Sequence, residues 1–419
     1  MISPAGRPTR RTAVRSAAAL SLALALTTTG CAGGTGAGSA TGEVASITVL
    51  DYYTQRSEHT QWNQVLTACG KTAGVRVEHT SVPPASLVPR VLRQASSRTL
   101  PDLLMLDNAD LQQVARTGAL TPLDQYGVDT SGFAEPILSA GTYDGKVYGL
   151  APYVSTVALF YNKDMLAEAG VAVPRTWGEL KQAAAELTRP GRYGMAVDAS
   201  PTFESSWQFL PFLWSNGGHE RHLDSPQAAQ ALQLWVDLVT NGSMSKSVLN
   251  WTQADVHDQF AAGRTAMMIN GPWRIAALDD DEDLRWGVAP IPVPRAGRAP
   301  VTPLGGEVWT VPQNSSEERQ KKAAEVLTCL NSASNTLTLA EQHFTVPSRT
   351  AVAARYAAQD PAMAVFVKST RGARVRTGEL GVRWPKAATG IYTAIQSALT
   401  GEQTPEEALG RAQQIATSD

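Results

Sequence analysis

Short apolar runs alternate with segments of helical spacing along the chain. Residues 47–52 form a β-branched run that predicts a strand, and residues 61–73 carry apolar positions at helical spacing. A second β-branched run at 75–78 completes the pattern of a βαβ unit. Residues 102–106 then form an apolar run typical of a strand that a parallel sheet buries on both faces.

The same alternation continues to the C-terminus. Further helices are predicted at 87–96, 110–117, 164–169, 176–188, 226–239, 255–262, 317–332 and 404–415. Further strands are predicted at 157–161, 265–269, 286–290 and 308–311. No internal repeat interrupts the pattern, so we predict an α/β fold.

The length and the charge of the chain narrow the range of functions. Its 419 residues exceed the ~250–300 residues at which a single hydrophobic core stops growing, so we expect two lobes. Hydrophobic residues make up 43% of the chain and the formal net charge is −2, which argues against a nucleic-acid partner. After the N-terminus no apolar run approaches the ~20 residues of a membrane helix, which predicts a soluble mature chain.

The N-terminus has the pattern of an export signal. Four arginines precede an apolar run at 17–26, and small residues then lead to Cys31. The segment Thr29-Gly30-Cys31 resembles a bacterial lipobox, so we expect removal of residues 1–30 and a lipid on Cys31. An ordinary secreted protein is the alternative, and Arg10-Arg11 leaves both the Sec and the twin-arginine route open. Residues 31–45 are rich in Gly, Ala, Ser and Thr and predict a flexible linker.

Two further cysteines, Cys69 and Cys329, lie far apart in the sequence. An oxidising compartment would permit a disulfide between them. Each cysteine also fits a buried position on a predicted helix, so two separate thiols agree equally well with the pattern. Neither belongs to a C-x-x-C pair that would indicate metal binding or redox chemistry.

Six segments occur in an order that is characteristic of one protein family. They are residues 101–107, 118–123, 145–152, 161–166, 174–180 and 260–268. Together with the signal ahead of them, they resemble the extracellular solute-binding proteins of sugar-importing ABC transporters, in the maltose/trehalose-type branch. The resemblance implies a two-lobe periplasmic-binding-protein-like fold of the class II type, with discontinuous lobes joined by a hinge. Lobe 1 is expected to comprise 46–152 and 303–350, and lobe 2 is expected to comprise 153–302 and 351–419.

The family resemblance also implies a function. A monomer, lipid-anchored at the outer face of the cytoplasmic membrane, would capture a mono- or oligosaccharide between its lobes and deliver it to the permease subunits of an ABC importer. Catalysis, cofactors and metals are not implied. The sequence motifs agree with this expectation. His219 and His222 lack the i,i+4 spacing of a zinc motif, and the acidic run at 279–283 lacks the glycine of a calcium loop.

A sugar site needs flat aromatic faces for C–H groups, and carboxylate, amide and guanidinium groups for hydroxyls. Trp273 is a candidate platform, because Gly271-Pro272 after a predicted strand forces a sharp turn and the family places a stacking residue there; core packing is the alternative. The complete set of expected ligand contacts is Tyr52, Asp107, Asn108, Tyr153, Trp207, Trp251, Trp273, Gly306, Glu307, Trp309, Arg383 and Trp384.

The remaining candidates rest on position and on resemblance. Gly306 permits close backbone approach, and Glu307 and Trp309 share one face of an extended segment that resembles a crossing between the lobes, although hinge packing alone would also fit. Asp107 and Asn108 end a buried strand, where α/β sheets bind ligands. The pair Arg383-Trp384 matches a late family segment that contributes a guanidinium. The aromatic residues Tyr52, Tyr153, Trp207 and Trp251 fit either the ligand site or the core.

Two other functions remain open at this stage. One is a receptor for a non-sugar solute such as a peptide or a polyol phosphate, although a phosphate would favour a Gly-rich helix N-terminus or an arginine cluster. The other is a secreted glycosidase with Asp107 and Glu307 as its carboxylate pair. A hydrolase would turn over a glycoside, whereas a receptor would leave the sugar intact.

Overall fold

The computed structural model describes residues 44–314 and 316–418. The predicted signal peptide, Cys31 and the linker up to residue 43 lie outside the described residues. Among the residues that are described, none of the helices combines the length and the apolar character needed to cross a membrane.

All seven predicted strands are present, and the described residues contain six further strands of two residues each that were not predicted. The strands are numbered here in chain order. They are β1 (Ser46–Asp51), β2 (Arg76–Ser81), β3 (Leu103–Asp107), β4 (Leu120–Thr121), β5 (Thr142–Tyr143), β6 (Lys146–Val147), β7 (Gly149–Leu150), β8 (Tyr153–Val154), β9 (Ala158–Asn162), β10 (Met267–Asn270), β11 (Trp286–Ala289), β12 (Glu307–Pro312) and β13 (Val346–Pro347).

The helices are numbered in the same way. They are α1 (Arg56–Thr72), α2 (Pro84–Ser97), α3 (Leu111–Ala115), α4 (Glu135–Ala140), α5 (Lys163–Ala169), α6 (Trp177–Leu187), α7 (Phe203–Ser215), α8 (Pro226–Thr240), α9 (Gln253–Ala261), α10 (Ile275–Asp279), α11 (Glu317–Leu330), α12 (Ala333–His343), α13 (Thr350–Gln359), α14 (Pro361–Arg371), α15 (Trp384–Thr400) and α16 (Pro405–Thr417). Short 3-10 turns lie at Leu123–Tyr126, Lys246–Asn250, Pro272–Arg274 and Gly381–Arg383.

The larger sheet has the order β2-β1-β3-β12-β4, with β7 also paired to β12. Strand β1 runs parallel to β2 and β3, which confirms the βαβ unit predicted from the sequence. Strand β12 returns antiparallel to β3, and Glu307 stands opposite Asp107 in the register. The sheet therefore brings residues from the beginning and the later part of the chain to one edge.

A smaller antiparallel sheet, β10-β9-β11, lies in the middle of the chain. Strands β9 and β10 are almost wholly buried, and helices α7, α8, α15 and α16 supply most of the second hydrophobic core beside them. Each sheet thus has its own set of covering helices, as the predicted α/β class with two lobes requires.

Three segments of the chain run side by side between the two sheets. Ser155 and Gly305 exchange backbone hydrogen bonds of 2.8 and 3.1 Å. Leu304 donates its backbone N–H to the carbonyl of Arg374 at 2.9 Å, which adds a third segment. The predicted lobe bounds place a third crossing at residue 350, but the sequence gave no sign of the pairing at Arg374, because that pairing joins residues far apart in the sequence.

Helix α14 contacts the surroundings of both sheets. Its Phe366 packs 6.0 Å from Phe160 of β9, and the same helix contacts β13, which pairs with β8. The predicted lobe boundary at residue 350 lies just before this bridging region, and the division of the lobes stays a prediction.

Cys69 on α1 and Cys329 on α11 form a disulfide between positions 260 residues apart. The structure decides between the two alternatives that the sequence left open. Because α1 and α11 pack against each other, the bond fastens the N-terminal βαβ unit to a helix from the later part of the chain.

Candidate functional site

A cavity of about 710 Å³ lies beside the crossing segments. This volume falls within the range of small-molecule sites. Seven of the predicted ligand contacts line it: Tyr52, Asp107, Tyr153, Trp207, Trp273, Gly306 and Glu307. Several other lining residues were not predicted from the sequence, and the most informative of them are Tyr53, Glu58, Gln61, Ser155, Phe203, Glu204, Arg274, His343 and Arg376.

One wall is built at the edge of the larger sheet. Tyr52 directly follows β1, and its hydroxyl donates a 2.6 Å hydrogen bond to Oε1 of Glu307, the first residue of β12. Burial raises the pKa of Glu307, and the Tyr52 hydroxyl opposes this rise. No guanidinium or ammonium group bonds the Glu307 carboxylate among the described residues, so a ligand hydroxyl has an acceptor there.

Behind this wall lies a cluster of aromatic rings. The hydroxyls of Tyr53 and Tyr153 share a 2.8 Å hydrogen bond, and Tyr53 stacks on the buried Trp62 at 5.4 Å. His343 lies 5.4 Å from the Tyr153 ring, and burial lowers its pKa to about 4. The imidazole is therefore neutral at ordinary pH and acts as a flat, polar part of the wall.

Arg376 bridges the third crossing segment and the end of β3. Its guanidinium donates hydrogen bonds to Asp107 Oδ1 and, at 3.0 Å, to Asn108 Oδ1. The Nε atom of Arg376 is buried without a partner. Asn108 is buried behind this contact and also donates to the Leu304 carbonyl at 3.3 Å, so it supports the wall and does not line the cavity.

An aromatic wall lies on the other side of the cavity. Trp207 on α7 and Trp273 in the turn after β10 stack with ring centroids 5.6 Å apart and an interplanar angle of 24°. The Trp273 ring rests directly on Gly271, where any Cβ would collide with it. The Trp207 ring contacts Gly305, where a Cβ would lie 2.8 Å from Cζ2. Glycine at both positions lets the two indoles approach the backbone closely.

The structure places the other predicted contacts away from the cavity wall. Trp309 is fully buried against Trp62 at 5.0 Å, because two residues along β12 carry it about 6–7 Å deeper than Glu307 on the same face. Trp384 is a core residue at the start of α15. Arg383 precedes it in a 3-10 turn outside the cavity lining, whereas the guanidinium groups of Arg274 and Arg376 line the cavity. Trp251 is half-buried between the two cores.

The charges of the lining are mostly acidic. Glu58, Asp107, Glu204 and Glu307 face two guanidinium groups, those of Arg274 and Arg376. Groups of three or more His, Cys, Asp or Glu side chains at metal-binding distance do not occur in the described ranges. The arrangement offers several strong hydrogen-bond acceptors beside flat apolar rings.

Residues 64–365 match the model of a family described as bacterial extracellular solute-binding protein. The chain is 29% identical over 236 residues to a putative binding protein of Brucella abortus, covering 54% of this chain and 57% of that protein. It is 24% identical over 296 residues to the maltooligosaccharide ABC transporter solute-binding lipoprotein of Streptococcus pneumoniae, covering 66% of each. The chain thus spans less than two thirds of the length of these relatives.

A solved structure has a fold similar to that of this chain. The GacH receptor of Streptomyces glaucescens, solved unliganded and with acarbose, is 26% identical, with a TM-score of 0.76 over 89% of this chain and 97% of that chain. The agreement confirms the predicted two-lobe periplasmic-binding-protein-like fold.

Proposed function

The chain belongs to the family of bacterial extracellular solute-binding proteins, and from this membership we propose that it captures a sugar in the cavity and delivers it to an ABC importer. The observation that carries the proposal is the pairing of two kinds of wall in one cavity. Trp207 and Trp273 supply apolar aromatic surface, and Glu307 and Tyr52 supply hydrogen-bonding groups. A pyranose ring needs both.

The names of similar proteins support the same ligand class. The Streptococcus pneumoniae relative is named for maltooligosaccharides, and the Streptomyces glaucescens receptor was solved with acarbose. We therefore propose a mono- or oligosaccharide as the ligand of this chain, with permease subunits of an ABC importer as its partner.

The two competing functions fit the cavity less well. A phosphate-bearing solute would meet four carboxylates and two guanidinium groups, and one of these, the guanidinium of Arg376, is already bonded to Asp107. A glycosidase needs two carboxyl groups free to act on the glycosidic bond. Asp107, the predicted partner of Glu307, is occupied by Arg376 and by the backbone N–H of Ala109 at 2.8 Å, so the predicted pair has only one free carboxyl group.

We propose attachment to the membrane through Cys31. A diacylglyceryl group would supply two acyl chains, and stable anchoring needs more than one. Fractionation of cells that express the wild type and Cys31→Ala tests the anchor: only the variant should appear in the medium. Equal release of both proteins would favour ordinary secretion.

Binding without turnover is the central test. Calorimetry and thermal shift over mono- and oligosaccharides should find a sugar that raises stability by ~2.7 kcal/mol at about 100 times its dissociation constant. Trp273→Ala should weaken that binding more than tenfold, because indole stacking contributes over ~1.4 kcal/mol at a buried site. The sugar should be recovered intact, and a chromogenic glycoside should not be cleaved. Cleavage would establish a hydrolase, and the absence of sugar binding would favour a different solute.

A further inference from the structure

Phe203 is an exposed aromatic residue in the wall of the cavity. The described part of the chain has three exposed large hydrophobic side chains, and Phe203 is the most exposed of them at 54%. The other two, Leu92 and Tyr193, do not line the cavity. Single exposed hydrophobic residues are ordinary on protein surfaces, so exposure alone has no functional meaning. The position of Phe203 beside the tryptophan pair is what distinguishes it.

The local structure holds Phe203 on the same helix face as Trp207. Phe203 is the first residue of α7, and the Thr202 side chain caps the helix by accepting from the backbone N–H of Glu204. Residues four apart lie on one face of a helix, about 6 Å apart along its axis. That rise is comparable with the length of one pyranose unit. Tyr392 of α15 packs 6.0 Å from the Phe203 ring and supports it from the protein side.

Exposure increases outward along this face. Trp207 is only 8% exposed, with its ring against Gly305 of a crossing segment and against Trp273. One turn nearer the N-terminus of α7, more than half of the Phe203 side chain is open. Glu204, the next residue, lines the same cavity and adds a carboxylate acceptor. The aromatic surface therefore runs from the crossing segments towards solvent, with a polar group at its outer end.

We propose, on the basis of the sugar capture proposed above, that Phe203 forms an outer subsite for one further ring of a linear oligosaccharide longer than a disaccharide. The inner rings lie against Trp207 and Trp273, and the C–H face of the additional ring covers the Phe203 side chain. Glu204 accepts hydrogen bonds from hydroxyls of that ring. The ligand of this cavity is thus an oligosaccharide, and Phe203 sets the preference for its length.

The experiment measures affinity as a function of chain length. Calorimetric titrations use maltose, maltotriose and maltotetraose, and the cello-oligosaccharides of the same lengths, with the wild type, Phe203→Ala, Phe203→Tyr and Tyr193→Ala. For the series that binds, we expect Phe203→Ala to weaken binding of the longest sugar roughly three- to tenfold and binding of the disaccharide less than twofold. Phe203→Tyr should keep the wild-type preference, because a flat ring remains. Tyr193→Ala, a matched exposed aromatic outside the cavity, should change nothing.

Each other outcome has a distinct meaning. Equal losses for all lengths would overturn the outer subsite, because they would place Phe203 in the general wall. Unchanged affinities with impaired uptake in cells would also overturn it and assign Phe203 to a contact with the permease. If the wild type binds neither series, the length series is repeated with the sugar that the wider screen identifies. If that screen finds no sugar either, the proposed sugar capture fails, and this failure is visible without any variant. Circular dichroism and melting of Phe203→Ala verify that the variant is folded.

Discussion

Arg376 holds Asp107 from a position 269 residues further along the chain. The contact connects the third crossing segment to the end of β3, next to the cavity. The same nitrogen donates a second hydrogen bond, to Asn108, at the point where the strand ends. The geometry of the binding wall therefore depends on a pairing between distant parts of the sequence.

Replacement of Arg376 should affect both stability and binding. Arg376→Gln removes a charge-assisted bond to Asp107, so we expect a loss of ~1.5–3 kcal/mol in the free energy of unfolding and weaker sugar binding. Arg383→Gln is the matched control, since that arginine lies outside the cavity lining. Urea unfolding and calorimetry measure the two effects. A binding loss in Arg383→Gln but not in Arg376→Gln would reverse the assignment.

A single methyl group at Gly271 should disturb the aromatic wall. The Cβ of Gly271→Ala would collide with the Trp273 ring, while the backbone there, at φ −106°, accepts any residue. We expect a loss of sugar affinity close to that of Trp273→Ala, with the fold retained. Gly178→Ala on α6 is the control, because a Cβ there meets nothing within 4 Å and should leave affinity unchanged. Wild-type affinity in Gly271→Ala would show that Trp273 does not touch the ligand.

The buried Asp198 should make stability depend on pH. Burial raises the pKa of Asp198 to about 7, and one of its oxygens has no partner. Since the folded state keeps a proton that the unfolded state releases near pH 4, this group lowers the free energy of unfolding as pH rises from about 4 to about 7. Asp198→Asn should remove that decline. The free energy of unfolding of the variant, measured relative to the wild type, should therefore be at least about 1 kcal/mol more favourable at pH 8 than at pH 4.

Urea titrations at pH 4 and pH 8 measure this difference. The amide oxygen in Asp198→Asn would still accept the hydrogen bonds that Ser200 donates to the wild-type carboxyl group, so the local turn should persist. If the difference in the free energy of unfolding between Asp198→Asn and the wild type is the same at both pH values, Asp198 does not cause the pH dependence.

Removal of the disulfide should cost stability without loss of binding. The free energy of unfolding of the double variant Cys69→Ala, Cys329→Ala should be ~2–5 kcal/mol lower than that of the wild type, because the disulfide restricts the conformations of the unfolded chain. Reductant should lower the free energy of unfolding of the wild type towards that of the variant. It should leave the free energy of unfolding of the variant unchanged, which provides an internal control. Both cysteines lie outside the cavity lining, so sugar affinity should be retained. A wild type insensitive to reductant under unfolding conditions would contradict the bond.

Strong local patterns were sufficient to predict much of the fold. The strands at β1, β3 and β11 follow directly from apolar runs, whereas α1 begins five residues before the predicted helix, since its first turns are polar and face the cavity. Helices α12 to α15 were not predicted. In α13 and α15 alanines replace many of the larger apolar residues that reveal helical spacing, whereas α14 carries Met363, Phe366 and Val367 at helical spacing and could have been predicted. End signals were present, such as Pro385 in the first turn of α15 and Gly401 after its last residue.

The site residues show where sequence reasoning ends. Alternation along β12 correctly predicts that Glu307 and Trp309 share a face, but it does not give the depth that separates a cavity wall from the core. Whether Arg376 or Arg383 lines the cavity depends on which residue the third crossing segment places at the end of β3. That pairing has no local signature in the sequence. Phe203 was missed for a related reason, because exposure is a property of the folded surface.

The paired crossing segments restrict the ways in which one sheet can move relative to the other. Ser155, Gly305 and Arg374 lie on three neighbouring segments joined by backbone hydrogen bonds, so sliding one segment past the next would break those bonds. Bending all three together preserves them. We therefore expect the sheets to move relative to each other mainly by rotation about these three segments, with the hydrogen bonds between the segments kept.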